Sequence, residues 1–201
     1  MFVSASSECF PNLSLDGVLN RLVDLEYTAV EIAVHEKGGP VKPSQVLANF
    51  DKVLAACRET YRLTIGAYSV DIDTEDEELY YKQFEACCHL AKATKVVSIV
   101  VSSSELGTPF NAELERLRML VAIAAREGVV VGVKTQAGRM TQDPDTAVVL
   151  CDNVKGLGIT LDPSHYIFGP CRNNYDHLLK HVVHVHLRDT SKQQLQVRVG
   201  T

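Results

Sequence analysis

Hydrophobic residues along the chain follow two alternating periods. Short runs rich in β-branched residues occupy 1–5, 28–34, 63–68, 95–101, 129–134, 157–161 and 182–187. Runs of this length and composition predict buried β-strands. Between them the spacing is helical. Leu15, Val18, Leu19, Leu22 and Val23 share one face behind Ser14, a residue type that caps helix N-termini. Val46, Leu47, Phe50, Val53, Leu54 and Cys57 form one stripe after Ser44. Thr74 and Glu77 have the spacing of a capping box that opens a third helix. Leu114, Leu117, Leu120, Val121 and Ala124 mark a fourth. Asp143 followed by Pro144 reads as the start of a fifth. Tyr175, Leu178 and Leu179 suggest a short sixth.

Strand starts recur about every 30 residues, the length of one strand, its crossover helix and a loop. Such crossovers join parallel strands. The two faces of each strand then choose between an open sheet and a barrel. Val30, Ile32 and Val34 oppose Glu31, Ala33 and His35; Val129, Val131 and Val133 oppose Val130, Gly132 and Lys134. Leu157, Ile159 and Leu161 oppose Gly158, Thr160 and Asp162; Val183, Val185 and Leu187 oppose His184 and His186. An aliphatic face against a small or polar one fits a TIM-type β/α barrel, whose outer face meets helices and whose inner face is crowded. No Gly-x-Gly-x-x-Gly follows the first strand, which argues against a dinucleotide fold. The expected fold is therefore an α/β barrel of parallel strands in one domain over 1–201, with seven units recognisable and the eighth missing or incomplete.

Composition narrows the function classes. The 201 residues are 46% hydrophobic with a formal charge of −5, which excludes a disordered chain and disfavours a nucleic-acid backbone as partner. No apolar run is long enough to span a membrane, and MFVSASSECF has no basic segment leading a long apolar stretch. The six cysteines, Cys9, Cys57, Cys87, Cys88, Cys151 and Cys171, contain no Cys-x-x-Cys pair and read as reduced thiols of a cytoplasmic protein.

In barrels of this type chemistry sits at the C-terminal strand ends. Those ends offer His35, then Tyr68, Ser69 and Asp71, then Ser102, Ser103 and Ser104, then Lys134, then Asp162 with His165, and finally His186 with Asp189. Asp162, His165 and His186 form a candidate metal set, since one carboxylate and two imidazoles suit Mn, Zn, Co or Fe. His35, His165 and Lys134 are candidate substrate contacts, and Lys134 and His165 the candidate catalytic groups.

The segments GVVVGVKTQ, GLGITLDPSHY and HVVHVHLRDTSK, with the opening CFPNLSLDGVLNRLVDLEYTAVEIAV, resemble the xylose isomerase-like barrel superfamily. The likeness runs over nearly the whole chain. It implies a sugar or sugar-phosphate isomerase or epimerase in which a divalent metal (Mn, Zn, Co or Mg) orients vicinal oxygens while a proton moves next to a carbonyl. In epimerase-type members the ligands are a Glu ending strand five, the Asp of Asp-x-x-His, the His ending strand seven and a Glu ending strand eight. Asp162 and His186 match ligands, and His165 matches a residue that contacts substrate or metal.

Two departures change that expectation. Lys134 stands where the strand-five Glu is expected, and an ammonium cannot ligate a metal while protonated. The chain also stops at Thr201, before the strand that would carry the second Glu. An alternative expectation follows: a metal-free small-molecule-binding or catalytically inactive barrel in which Lys134 replaces the metal-ligand Glu and pairs with Asp162. Lys134 is otherwise an anion binder or a Schiff-base amine. The abasic-site endonucleases of the superfamily need extra histidines at strand ends three and four, and GAYSVDID and VVSSSEL have none. Expected partners are a sugar or polyol and a further copy of the chain covering open sheet edges, with no nucleic acid and no membrane.

Overall fold

The computed structural model describes residues 3–170 and 174–200; Cys171 lies outside them. Seven strands alternate with helices in the order β1 (Ala5–Ser6), α1 (Leu15–Asp24), β2 (Ala29–His35), α2 (Pro43–Ala48), α3 (Phe50–Arg58), β3 (Thr64–Asp71), α4 (Glu77–Ala93), β4 (Ser98–Ser102), α5 (Phe110–Arg126), β5 (Val130–Lys134), α6 (Pro144–Asn153), β6 (Leu157–Leu161), α7 (Pro163–Phe168) and β7 (Val182–Val185). The strands follow the chain in sheet order and are parallel. No eighth strand occurs among the described residues. The chain clusters into two compact units, Met1–Ile99 with Ile123–Val129, and Val100–Ala122 with Val130–Thr201.

In the first unit, α1 starts at Ser14, whose hydroxyl accepts from the Gly17 N–H. Its stripe Leu15, Val18, Leu19 and Leu22 is buried, as the spacing predicts. β2 is buried along Ala29–Val34 on both faces, including Glu31. Ser7 fixes the start of the unit by accepting the Ala33 N–H at 2.8 Å. The stripe expected as a single helix after Ser44 is two helices. Asn49, with φ −139° and ψ 50°, leaves helical geometry between α2 and α3. Asn is a weak helix former that competes for backbone hydrogen bonds, so the break falls there. α4 is capped by Asp76, whose carboxylate accepts the Leu79 N–H, and Thr74 instead accepts the Asp76 N–H. The expected Thr74–Glu77 box gives way because Asp76 stands next to the first helical residue, where a short carboxylate reaches both the N–H groups and the positive helix end.

In the second unit, β5 and β6 pair with Gly132 beside Gly158 and Lys134 beside Thr160, and β6 and β7 pair with a register shift between Ile159 and Thr160 that puts Thr160 beside His184. Val131, Val133, Ala147, Leu150, Ile159 and Leu178 are buried. The expected short sixth helix is a 3₁₀ helix over Asp176–His181. The two glycines make room for their neighbours. A Cβ on Gly158 would lie 2.5 Å from both Val183 methyl carbons, and one on Gly132 would lie 2.5 Å from Thr160 Oγ1. Gly158→Ala is therefore expected to cost about 1–3 kcal/mol by overpacking, read as a lower urea midpoint with unchanged slope. A midpoint equal to wild type would contradict this packing.

Cys57, Cys87, Cys88 and Cys151 are buried and unpaired, while Cys9 is exposed. Burial pushes the Cys57 thiol up to about 11 and those of Cys88 and Cys151 up to about 12, so they are protonated and unreactive. Among the described residues no helix is long and apolar enough to cross a membrane.

Candidate functional site

Polar groups gather at the strand ends of each unit. In the first unit, His35 ends β2 half-buried. Its Nε2 lies 3.1 Å from Ser69 Oγ on β3, and its Nδ1 lies 3.6 Å from the Glu8 carboxylate. Tyr68 is turned the other way. It is fully buried, and its hydroxyl meets Thr94 Oγ1 at the end of α4 at 3.0 Å.

The second unit holds the denser cluster. Asp162 follows β6 and is fully buried. It is followed by Pro163, and its carboxylate caps α7 by accepting the Ser164 N–H at 3.2 Å together with the Ser164 hydroxyl on the same oxygen. The other oxygen, Oδ2, accepts from Arg188 Nη2 at 2.8 Å. His165, one turn into α7, brings Nε2 to 3.6 Å from Oδ2. Its Nδ1 accepts the Ala137 N–H at 3.2 Å. A nitrogen that accepts carries no proton, so the neutral ring holds its proton on Nε2. Burial pulls His165 down to about 4; Asp162 opposes that, while Lys134, Arg188 and His186 reinforce it. At neutral pH the ring is an uncharged N–H donor.

The sequence predicts Lys134 as the partner of Asp162; the partner is Arg188. Lys134 forms no ion pair among the described residues. Lys134 sits beside Thr160, and Asp162 lies two residues further along, about 6.5 Å at the rise of a strand. Arg188 belongs to the same sequence alternation as His184 and His186; Leu161 stands beside Val185, so Arg188 lies beyond the level of Asp162 and turns its long fork back onto it, past the His186 N–H that donates to the Leu161 carbonyl. That alternation is visible in HVHLRD, and it is the signal that could have found Arg188. The Asp162–Pro163 cap is equally visible, since Asp143–Pro144 uses the same pair to start α6. His186 packs its ring edge-on against His184, centroids 5.2 Å apart.

The wall of this cluster is tied down by hydrogen bonds between the segments after β4 and β5. Ser102 donates to Gln136, Ser103 meets Thr141 Oγ1 at 3.0 Å, and Met140 N–H donates to the Ser104 carbonyl. Thr141 also donates to the Lys134 carbonyl at 2.7 Å. Beneath them Glu113, fully buried, accepts from Ser104 N–H and hydroxyl and from Arg116. Burial alone would raise the Glu113 carboxyl, but the Arg116 and Ser104 contacts hold it below its ordinary range.

Parallel strands with crossover helices, and polar residues collected past the strand ends, define a protein of the β/α-barrel class. Residues 19–199 match the xylose isomerase-like TIM barrel family, and the chain belongs to it. No curated protein matches the sequence. Among solved structures, a D-tagatose 3-epimerase-like protein superposes with a TM-score of 0.76 at 16% identity, covering 100% of this chain and 81% of its own. The 3-keto-D-glucoside 4-epimerase of E. coli, without ligand, gives 0.70 at 19%, covering 94% and 79%. A xylose isomerase-like TIM barrel protein from Mycobacterium smegmatis in complex with magnesium gives 0.69 at 16%, covering 94% and 74%. At these identities the likeness is one of fold.

Proposed function

We propose that this chain is an isomerase- or epimerase-type barrel that binds a sugar or polyol carbonyl at the ends of β5–β7 and polarises it with Lys134 and His165 rather than with a divalent ion. The observation that carries this reading is the use already made of Asp162 and His165. A metal held by the expected set would need lone pairs on both residues, and one carboxylate oxygen is bonded to Ser164 and the other to Arg188. A ligating histidine donates from its second nitrogen, whereas Nδ1 of His165 accepts and Nε2 keeps the proton. Two fixed cations, Lys134 and Arg188, add repulsion to any ion placed there. These contacts compete with a divalent metal for Asp162 and His165. The family setting and the two epimerase-type neighbours favour a carbonyl sugar as substrate class.

In this reading Asp162 positions, while His165 and Lys134 donate. The neutral Nε2–H of His165 and the Lys134 ammonium stabilise negative charge developing on a carbonyl oxygen, which acidifies the adjacent C–H; a solvent water in the site takes that proton, and the enediolate carbon takes one back from solvent.

Exchange of solvent deuterium into D-fructose or D-tagatose next to the carbonyl, followed by proton NMR, tests the reading. Exchange is expected without added metal, unchanged by a chelator, and lowered about 100-fold or more by Lys134→Gln, the scale of losing one such donor. Exchange that depends on added Mn or Mg, or a stoichiometric transition metal in protein purified without chelator, would overturn the metal-free reading. No binding and no exchange with any sugar would overturn the sugar reading itself.

A further inference from the structure

Lys134 and the Nε2–H of His165 are both held by one loop, and that loop is closed by one side chain. It runs from the end of β5 to the start of α6, residues 135–142, and turns at Gly138, whose φ of 82° suits glycine. Along the way the Thr135 hydroxyl oxygen accepts the Asp162 N–H at 2.8 Å, and the Ala137 N–H reaches His165 Nδ1 at 3.2 Å. Thr141, fully buried, closes the loop. Its hydroxyl donates to the Lys134 carbonyl at 2.7 Å. With that proton committed, its oxygen accepts from the Ser103 hydroxyl at 3.0 Å, and the Ser103 oxygen in turn accepts the Thr141 N–H at 3.2 Å. The Thr141 carbonyl accepts the Tyr166 hydroxyl at 3.3 Å, and Tyr166 follows His165 on α7.

Ser103 and Tyr166 are buried as well, so these bonds have no water to replace them. A polar group that loses its partner in such a place is costly, and the Thr141 hydroxyl is therefore confined to one arrangement. The other ties of the loop reach less far. Arg139 donates to the Ser103 carbonyl and the Met140 N–H to the Ser104 carbonyl, both in the segment after β4. Among the described residues Thr141 alone bonds to that segment, to the last residue of β5 and to α7. His165 depends on this closure. A neutral imidazole carries its proton on the nitrogen opposite the one that accepts, and the donor that selects Nδ1 as acceptor is a backbone N–H of this same loop. With Ala137 displaced, Nδ1 is free to take the proton, and Nε2 is left as a lone pair with nothing to donate to a carbonyl oxygen.

We propose that Thr141 is a positioning residue for proton transfer: by closing the loop after β5 it keeps the His165 proton on Nε2 and the end of β5, with Lys134, in place. It acts through those two residues and not on the substrate itself. The inference rests on the carbonyl-sugar reading above and deepens it by naming what presets the donor. Loss of the tie lowers turnover more than binding, because a sugar is held by several contacts while charge on the carbonyl oxygen needs a donor at one atom.

Thr141→Val, which keeps the side-chain shape and removes the hydroxyl, tests this beside Thr141→Ser, which restores it. Long-range proton–nitrogen correlation NMR of histidine-labelled protein reads the His165 tautomer without any ligand. Wild type and Thr141→Ser are expected to carry the proton on Nε2, and Thr141→Val to carry a large share of it on Nδ1. Deuterium exchange into D-fructose is expected to fall about 10- to 100-fold in Thr141→Val and to recover in Thr141→Ser, while D-fructose affinity by calorimetry stays within about twofold. Ser103→Ala cuts the same knot from the β4 side and is expected to give the same tautomer change, so it stands in if Thr141→Val does not fold. A folded variant of either kind with His165 still protonated on Nε2 overturns the inference. So does a tautomer change that Thr141→Ser fails to reverse, an exchange rate that ignores the tautomer, or an affinity that falls as far as exchange does. A wild-type chain that neither binds nor exchanges any sugar overturns the sugar reading, and the tautomer measurement then still decides whether Thr141 sets His165.

Discussion

Asp162→Ala is expected to lower the unfolding free energy by about 3–5 kcal/mol, the range for removing one partner of a buried ion pair. The substitution removes the acceptor of three donors at once: the Ser164 N–H, the Ser164 hydroxyl and Arg188 Nη2. It also leaves a guanidinium facing a hollow and an uncapped α7. Asp162→Asn separates these contributions. Asn caps helices about as well as Asp, so this variant keeps the α7 start and loses the charge together with the acceptor of Arg188. Arg188 is partly exposed, so its own truncation costs less and the two effects share a partner. A double-mutant cycle with Arg188→Met is therefore expected to show a coupling of about 1 kcal/mol or more, with the double variant less damaged than the sum of the singles. Urea unfolding measures all four corners. Additive losses would mean that the 2.8 Å contact contributes no net stability.

The second large effect is a loss of stability on mild acidification. His165 titrates near 6.5 in the unfolded chain and at about 4 in the folded one. Between those values the unfolded state takes up a proton that the folded state refuses. Acid therefore favours unfolding across that window, and below it both states are charged and the loss stops growing. At about 1.4 kcal/mol for each unit of difference, the full effect reaches about 3 kcal/mol. Urea midpoints measured from pH 7 to pH 5 are expected to fall, and His165→Gln is expected to flatten that slope. Glu113 does not confuse the result. Its carboxyl is held below the ordinary value of 4.5, so its contribution is lost only at lower pH. An identical slope in His165→Gln would remove His165 as the cause.

Strand positions are legible in the sequence because buried parallel strands are continuous β-branched runs; β6 begins and ends where its run does, at Leu157 and Leu161. The caps at Ser14 and Asp143 are legible for a similar reason: each acts on N–H groups within three residues of itself. The break at Asn49 is not, because the apolar stripe runs through it unbroken. Within the cluster, the neighbourhood of Lys134, Asp162 and His186 follows from strand ends alone. The pairing does not. Lys134 and Arg188 each stand two residues from the level of Asp162, one before it and one beyond, so strand-end position alone does not choose between them. Arg188 is legible only through its alternation with His184 and His186. Tyr68 looks like a strand-end residue, yet its hydroxyl is claimed by Thr94, a partner 26 positions further along the chain.

The cross-linked segments after β4 and β5 bear on kinetics. A binding wall already held by Ser102–Gln136, Ser103–Thr141 and Glu113 needs no ordering when a molecule arrives. Association on this flank then costs little conformational entropy, and it should proceed in one step without a slow isomerisation phase. Discrimination falls to shape: a stiff wall yields little to an added methyl or an inverted stereocentre, so misfitting molecules are rejected by fast departure rather than by failure to enter.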